Sequence, residues 1–399
     1  ASPPAADPVS ALVGQLDLEK YKATIKGLTR FGDRRQGTER NRKALDWIEA
    51  QLISYGCKTE RLQYDYTEPA PRPAGTPAPP RPVPKTGGGN GGPAGQGGST
   101  LFGKRAPIGV NTDPMLQADA RLRALNAEQT PVGTSRRENI YCTKVGATHP
   151  HEMYIVSAHM DGIGFGEAAN DDGSGTALVM ELARILNAPG VQTARSIRFA
   201  IWNNEESGLN GARAYVEQRK DLQGIESPKG SGKFPEPAWL GMIQHDMMLW
   251  DHGMPIPKLD AKGKAVLDDK GQPVYVSPKE QRAEADVNIE FQSASKHAEA
   301  SSKLAWILHA ANGKYASTYP AMVGPQMTNT DWVPFMDFVP AISLRENERG
   351  MHIGAGWNPN WHQPSDVFST YSDKDFMLGL NAAQTTLAGV AQLSGATIK

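Results

Sequence analysis

The chain has 399 residues, a formal charge of −1 and 39% hydrophobic residues. Balanced charge gives no electrostatic ground for a nucleic-acid or anionic-membrane partner, and no apolar run approaches the roughly 18 residues of a membrane helix. Two cysteines, Cys57 and Cys142, exclude a cysteine-rich zinc module, so a metal site must draw on histidines and carboxylates, donors that suit catalytic zinc.

The opening stretch Ala1-Ser2-Pro3-Pro4-Ala5-Ala6 is polar and reads as a mature end left by signal-peptide removal. Residues 8–56 read as helical. Leu45, Ile48 and Leu52 share one face, and Gly56 is a natural C-terminal stop. Lys58–Tyr66 alternates like a strand. Residues 67–99 are rich in proline and glycine and are expected to form a flexible surface insertion without chemistry of its own. Asp113–Gln129 reads as one short helix. From Asn139 onward strands and helices alternate: strands Asn139–Val145, Glu152–Ala158, Ser196–Trp202, Leu240–Gln244 and Ala341–Leu344, and helices Ser174–Leu186, Gly211–Arg219, His297–Asn312 and Lys374–Leu393. Pro255–Pro278 reads as an inserted hairpin. The alternation predicts a mainly parallel sheet covered by helices, with sites beyond the carboxyl ends of its strands.

Several chemistry-bearing side chains fall at such ends. His159 follows the apolar run Met153–Val156, and Asp161 lies two residues on. A lone histidine there is more often structural, but a nearby carboxylate can accept one imidazole N–H and aim the other nitrogen at a metal. Asn170–Gly175 reads alone as a turn and helix cap. Its functional reading is a bridging carboxylate, Asp171, able to hold two cations roughly 3.5–4 Å apart. Glu205 and Glu206 cap the apolar strand Ile197–Trp202, so one can ligate a metal while the other faces an attacking water. Only one of His245 and Asp246 can point into the same site if that segment is extended. His362 is the last candidate ligand, with His352 as its rival. No His-Glu-x-x-His helix and no Gly-x-Ser-x-Gly elbow is present.

In this order the segments His159-Met160-Asp161, Asn170–Gly175, Glu205-Glu206, Asp246 and His362 resemble the co-catalytic di-zinc aminopeptidases of secreted bacterial leucyl aminopeptidase type. The resemblance covers residues 139–395, and Gly37–Asn41 resembles the opening segment of that family. It implies a single α/β domain over 1–399, a three-layer sandwich with a mixed, mainly parallel central sheet. It implies two zinc ions, one held by His159 and Asp246, the other by Glu206 and His362, with Asp171 bridging. Asp161 would orient His159, and Glu205 would act as general base. Asp331 lies in Thr330–Phe335, a segment like one that lines the family's cleft. The expected reaction is hydrolysis of an N-terminal peptide bond by a zinc-bridged water. The substrate is a peptide or small aminoacyl compound, and the chain is read as a monomer without nucleic-acid or membrane partner, secreted or periplasmic.

Trp361 departs from the pattern, since such aminopeptidases often carry tyrosine before the last histidine. Trp-His resembles glutaminyl cyclases, which use one zinc, so cyclisation stands as an alternative. Arg345 is a candidate clamp for a substrate carboxylate in a carboxypeptidase or dipeptidase, although an isolated arginine is more often structural. A receptor that has lost catalysis is the reading from another class. In the resembling family the strands bearing Cys57 and Cys142 are antiparallel neighbours, which leaves open a disulfide or two buried thiols.

Overall fold

The computed structural model describes residues 7–70, 109–251, 257–271, 273, 274, 276, 287–325, 329–346 and 358–399. The predicted helical region is three helices, α1 (Pro8–Val13), α2 (Leu18–Thr29) and α3 (Glu39–Ser54). Each starts where a side chain accepts an otherwise unpaired N–H: Asp7 from Val9, Asp17 from Lys20, Thr38 from Asn41. Gly56, with φ +83°, follows α3 in the left-handed conformation that glycine adopts without a Cβ clash. Strand β1 (Thr59–Glu68) runs past Tyr66. Of the predicted 67–99 insertion, residues 71–99 lie outside the described residues. The single helix expected at Asp113–Gln129 is a 3-10 turn, Pro114–Leu116, and α4 (Ala120–Leu125). Asp113 and Asp119 cap the two pieces and so divide them.

The alternating part follows as β2 (Gly133–Lys144), β3 (His149–His159), α5 (Gly173–Leu186), β4 (Val191–Gln192), β5 (Arg195–Trp202), α6 (Asn210–Arg219) and β6 (Ala238–His245). It continues with β7 (Val287–Phe291), α7 (Ala298–Tyr315), β8 (Ala321–Gly324), β9 (Ala341–Arg345), α8 (Asp373–Ser394) and β10 (Thr397–Ile398). The short strands β7 and β8 were not anticipated. Between β6 and β7, bridges Leu259–Ala265 and Leu267–Pro273 agree with an inserted hairpin, although parts of Pro255–Pro278 lie outside the described residues.

Eight strands form one sheet in the order β1-β2-β5-β3-β6-β9-β7-β8, and β4 pairs with β10 separately. The centre β5-β3-β6-β9 is parallel. β1, β2 and β5 pair antiparallel, β9 and β7 antiparallel, β7 and β8 parallel. Because successive side chains leave opposite faces of a strand, β5 sends Ile197, Phe199 and Ile201 to one core and Ala200 and Trp202 to the other. The first core lies under α1, α2, α3, α5, α7 and α8. The second lies under α6 and the Trp332–Val339 segment. This is the expected three-layer mixed sheet.

Cys57, two residues before β1, is bonded to Cys142 in β2, with Cα atoms 5.7 Å apart. The antiparallel register pairs Thr59 with Cys142 and so brings the two cysteines together. The bridge closes a sequence separation of 85 residues. By the chain-entropy argument, a Cys57→Ser/Cys142→Ser variant is expected to lose up to roughly 4–5 kcal/mol of unfolding free energy. Thiol titration of the denatured, unreduced protein should find no free thiol; two would refute the bridge.

Candidate metal centre

The carboxyl ends of the central parallel strands converge on one buried group of imidazoles and carboxylates. His159 ends β3. Its backbone is held from both sides: Asp172 accepts its N–H at 3.2 Å, and its carbonyl accepts the Thr176 hydroxyl at 2.6 Å. Its Nδ1–H points to the Asp161 backbone carbonyl at 3.0 Å, which leaves Nε2 facing Asp171 at 3.4 Å and Asp246 at 3.9 Å. The expectation that the Asp161 carboxylate orients this ring is thereby corrected: that carboxylate lies 3.8 Å from Nδ1. It accepts instead the backbone N–H groups of Glu205, at 3.0 Å, and Glu206, at 3.3 Å. Asp161 therefore pins the turn after β5 that carries both glutamates.

Asp246 follows β6 and faces the site, whereas His245 points the other way. The His245 Nδ1–H donates to the Ser157 carbonyl at 3.1 Å, and Nε2 accepts from Thr386 at 2.8 Å. Burial among these neutral partners pushes its pKa down to about 4. Arg345, at the end of β9, is buried and donates to Asp246 at 3.1 Å and to the Met247 sulfur at 3.4 Å. A free carboxylate clamp is thus not what the fold makes of it: the guanidinium fixes Asp246.

Asp171 precedes α5, which Asp172 caps by accepting the Gly175 N–H at 2.9 Å. His362 comes from the loop before α8, and its Nε2 lies 2.9 Å from both Asp171 and Glu206. The Trp361 ring stacks on the His362 ring, centroids 3.7 Å apart and 23° from parallel. The result is two ligand triads, His159/Asp171/Asp246 and Asp171/Glu206/His362, sharing Asp171. Within each, the ligand atoms lie within 4.8 Å of one another. The rival His352 lies outside the described residues.

Burial sets the electrostatics. It pushes Glu206 up to about 7, and Glu205 and Asp331 well above the usual carboxylate range. Burial acts in the same sense on Asp171, but hydrogen bonds from His159 and His362 outweigh it and hold that carboxylate low. The Glu206 and Asp171 charges carry His362 up to about 10 against its own burial. Both Asp331 oxygens, Glu206 Oε1 and His362 Nδ1 are buried without a hydrogen-bond partner. Concentrated buried carboxylate charge with unsatisfied oxygens calls for a cation, and a donor set of nitrogen and oxygen alone fits zinc.

Sequence reasoning missed the scaffold of this site. Asn170 Oδ1 accepts the N–H groups of Met248, at 2.8 Å, and Leu249, at 2.9 Å; its Nδ2 donates to Glu346 at 2.9 Å. Asp366 accepts the N–H groups of Asn170, at 2.9 Å, and Asp171, at 3.1 Å. Arg34 is fully buried and donates to the carbonyls of Met160, Glu167 and Ala168 at 2.7–2.8 Å. Gln117 Nε2 donates to Phe165 at 2.8 Å and to Pro364 at 3.0 Å, and Asn111 N–H donates to the His362 carbonyl at 3.0 Å. The segment after the Pro/Gly-rich stretch therefore ties the loop bearing His362 to the loop bearing Asp171. Gln117→Ala is expected to weaken metal retention about 10-fold, the lower range for outer-shell changes. Chelator competition measures this, and wild-type chelator sensitivity would remove Gln117 from the scaffold. Asn170 lay within a segment singled out for chemistry, and Asp366 and Glu346 beside such segments; isolated polar residues such as Gln117 and Arg34 carry no local signal.

A buried His/Asp/Glu cluster at the carboxyl ends of a parallel sheet, with two triads meeting at one carboxylate, belongs to the class of proteins built around metal-dependent hydrolysis. The pattern of peptidase family M28 matches residues 139–383, and the chain belongs to that family. A 134-residue stretch is 34% identical to the probable lipoprotein aminopeptidase LpqL of Mycobacterium tuberculosis, covering 33% of this chain and 25% of that protein. Aminopeptidase YwaD of Bacillus subtilis is 32% identical over 128 residues, 32% of this chain and 26% of its own. Carboxypeptidase Q of Xenopus laevis is 34% identical over 83 residues, 21% of this chain and 18% of its own. These matches span about a quarter of the relatives' length or less. Among solved structures, BSAP, a zinc aminopeptidase from Bacillus subtilis, shares the fold with a TM-score of 0.60 at 15% identity over 95% of both chains. The glutaminyl cyclase of Fimbriiglobus ruber shares it at 0.56 and 13%, over 94% of this chain and 95% of that one. No helix among the described residues is long and apolar enough to cross a membrane.

Proposed function

We propose that the protein is a zinc-dependent exopeptidase that removes N-terminal residues from peptides or small aminoacyl compounds. The observation that carries this reading is Asp171, shared by the two triads. In our assignment His159 and Asp246 hold one zinc ion, Glu206 and His362 the other, and Asp171 both. When bound, the metal pair would acidify a shared water and polarise the scissile carbonyl. Glu205 takes the proton of the attacking water and returns it to the leaving amine. Its place is set through its backbone, by the Asp161 carboxylate. Asp161 also orients His159, through its carbonyl. Asp331 and Trp361 are assigned to substrate contact, and Arg345 to positioning Asp246. An oxidising compartment, secreted or periplasmic, is supported by the Cys57–Cys142 bond.

Glutaminyl cyclisation is the second reading, favoured by Trp361 immediately before His362. A panel of free aminoacyl, N-blocked and N-terminal glutaminyl substrates, with and without chelator, separates the two. We expect chelator-sensitive hydrolysis of the free aminoacyl substrates. Cyclisation of the glutaminyl substrate without aminoacyl hydrolysis would replace the peptidase reading.

A further inference from the structure

A second group of metal-binding side chains lies at the other end of β3 from the catalytic candidates. We propose that His149, His151 and Glu152 form an accessory site for a divalent transition metal, zinc in the first instance. His149 and His151 lie two apart at the start of β3, and their imidazoles meet edge to face. Their ring centroids are 6.1 Å apart. Strict alternation would turn the adjacent Glu152 away. The ladder between β3 and β5 is interrupted here, however: His149 pairs with Arg195 and the next pair is Met153 with Ser196. Such an irregularity re-aims side chains. Glu152 Oε1 comes within 3.9 Å of His151 Nε2, and the three ligand atoms all lie within 4.8 Å of one another.

Neighbours hold two of the ligands in place. Glu152 Oε2 accepts from Arg195 Nε at 2.6 Å, which orients the carboxylate and leaves Oε1 toward the histidine. His151 packs against Phe234, centroids 5.6 Å apart. An Arg-oriented carboxylate beside an imidazole pair is the donor chemistry of zinc, nickel and copper rather than of calcium or magnesium. His151 remains 47% exposed, so an ion has access from solvent and further positions for water. The length of β3 separates the group from His159 by about 30 Å at ~3.3 Å per residue, so it stands apart from catalysis. A bound ion would tie the start of β3 to Arg195 at the start of β5, and since it binds the folded form it would raise thermal stability.

The test is calorimetric titration of zinc into the enzyme, first saturated at its tighter sites, in parallel with His149→Ala/His151→Ala. The wild type should take up one more equivalent per chain than the variant and gain a zinc-dependent rise in Tm that the variant lacks. Both should show the same turnover on any substrate the enzyme accepts. Equal uptake, or an equal Tm rise, in a variant that melts like the wild type without zinc would overturn the proposal. Because the readout is a difference between two proteins with identical catalytic clusters, its failure is separate from any failure of the exopeptidase reading. Glu152→Gln provides a second variant that keeps both histidines, and its affinity for the extra zinc should fall below that of the wild type; an affinity equal to wild type would strike Glu152 from the site.

Discussion

Glu205→Gln is expected to lower turnover about 10²–10⁴-fold, the usual cost of removing a general base, while zinc content stays at the wild-type level. The substitution keeps the shape of the side chain. It leaves the bond that places the turn untouched, because the Asp161 carboxylate accepts the Glu205 backbone N–H, not its side chain. Burial and the neighbouring Glu206 charge disfavour the ionised carboxylate in the protein without metal, against the opposing pull of His159. A nearby divalent cation favours the ionised form, the one able to take a proton. Glu206→Gln should behave differently. Its Oε2 lies 2.9 Å from His362 Nε2, inside a ligand triad, so zinc content should fall along with rate. Steady-state kinetics together with elemental analysis reads both outcomes. Near-wild-type rates in Glu205→Gln would take that residue out of the mechanism.

Asp171→Ala should strip metal from both triads at once and abolish measurable activity, whereas His362→Ala should lose one equivalent and leave the His159/Asp171/Asp246 triad intact. The asymmetry follows from geometry. One Asp171 oxygen faces His159 at 3.4 Å and the other faces His362 at 2.9 Å. Deleting the shared carboxylate removes a ligand from each triad and leaves His159 with Asp246, and His362 with Glu206, as two-residue remnants that bind zinc poorly. Elemental analysis after dialysis against a weak chelator distinguishes the variants. An Asp171→Ala protein that kept two zinc ions per chain would sink the bridging role, and a wild type with one would favour the cyclase reading.

Much of this arrangement was written locally. Caps such as Asp17 and Thr38, the stop at Gly56 and the alternation of β5 follow from interactions within a few residues, which a sequence displays directly. Apolar strands likewise mark the ends that His159, Glu206 and Asp246 follow, whereas Asp171 and His362 lie in loops, and their place in the ligand set rested on the resemblance to di-zinc aminopeptidases. Extended geometry also sufficed to say that His245 and Asp246 face opposite ways. Other features were decided only in three dimensions. The Asp161 carbonyl, not its carboxylate, meets His159, since the chain turns immediately after β3. Arg345 spends its charge on Asp246 because β9 lies beside β6 in the sheet, a neighbour relation that sequence order does not reveal. Strand β7 pairs with β9 on one side and β8 on the other, neighbours that sequence order does not reveal. Gln117 bridges two loops 48 and 247 residues away in the chain. Composition and periodicity report the interactions a residue makes with its near neighbours. The orientation of a buried polar group depends on which distant carbonyl or carboxylate the fold brings within about 3 Å of it, and that is determined by tertiary packing.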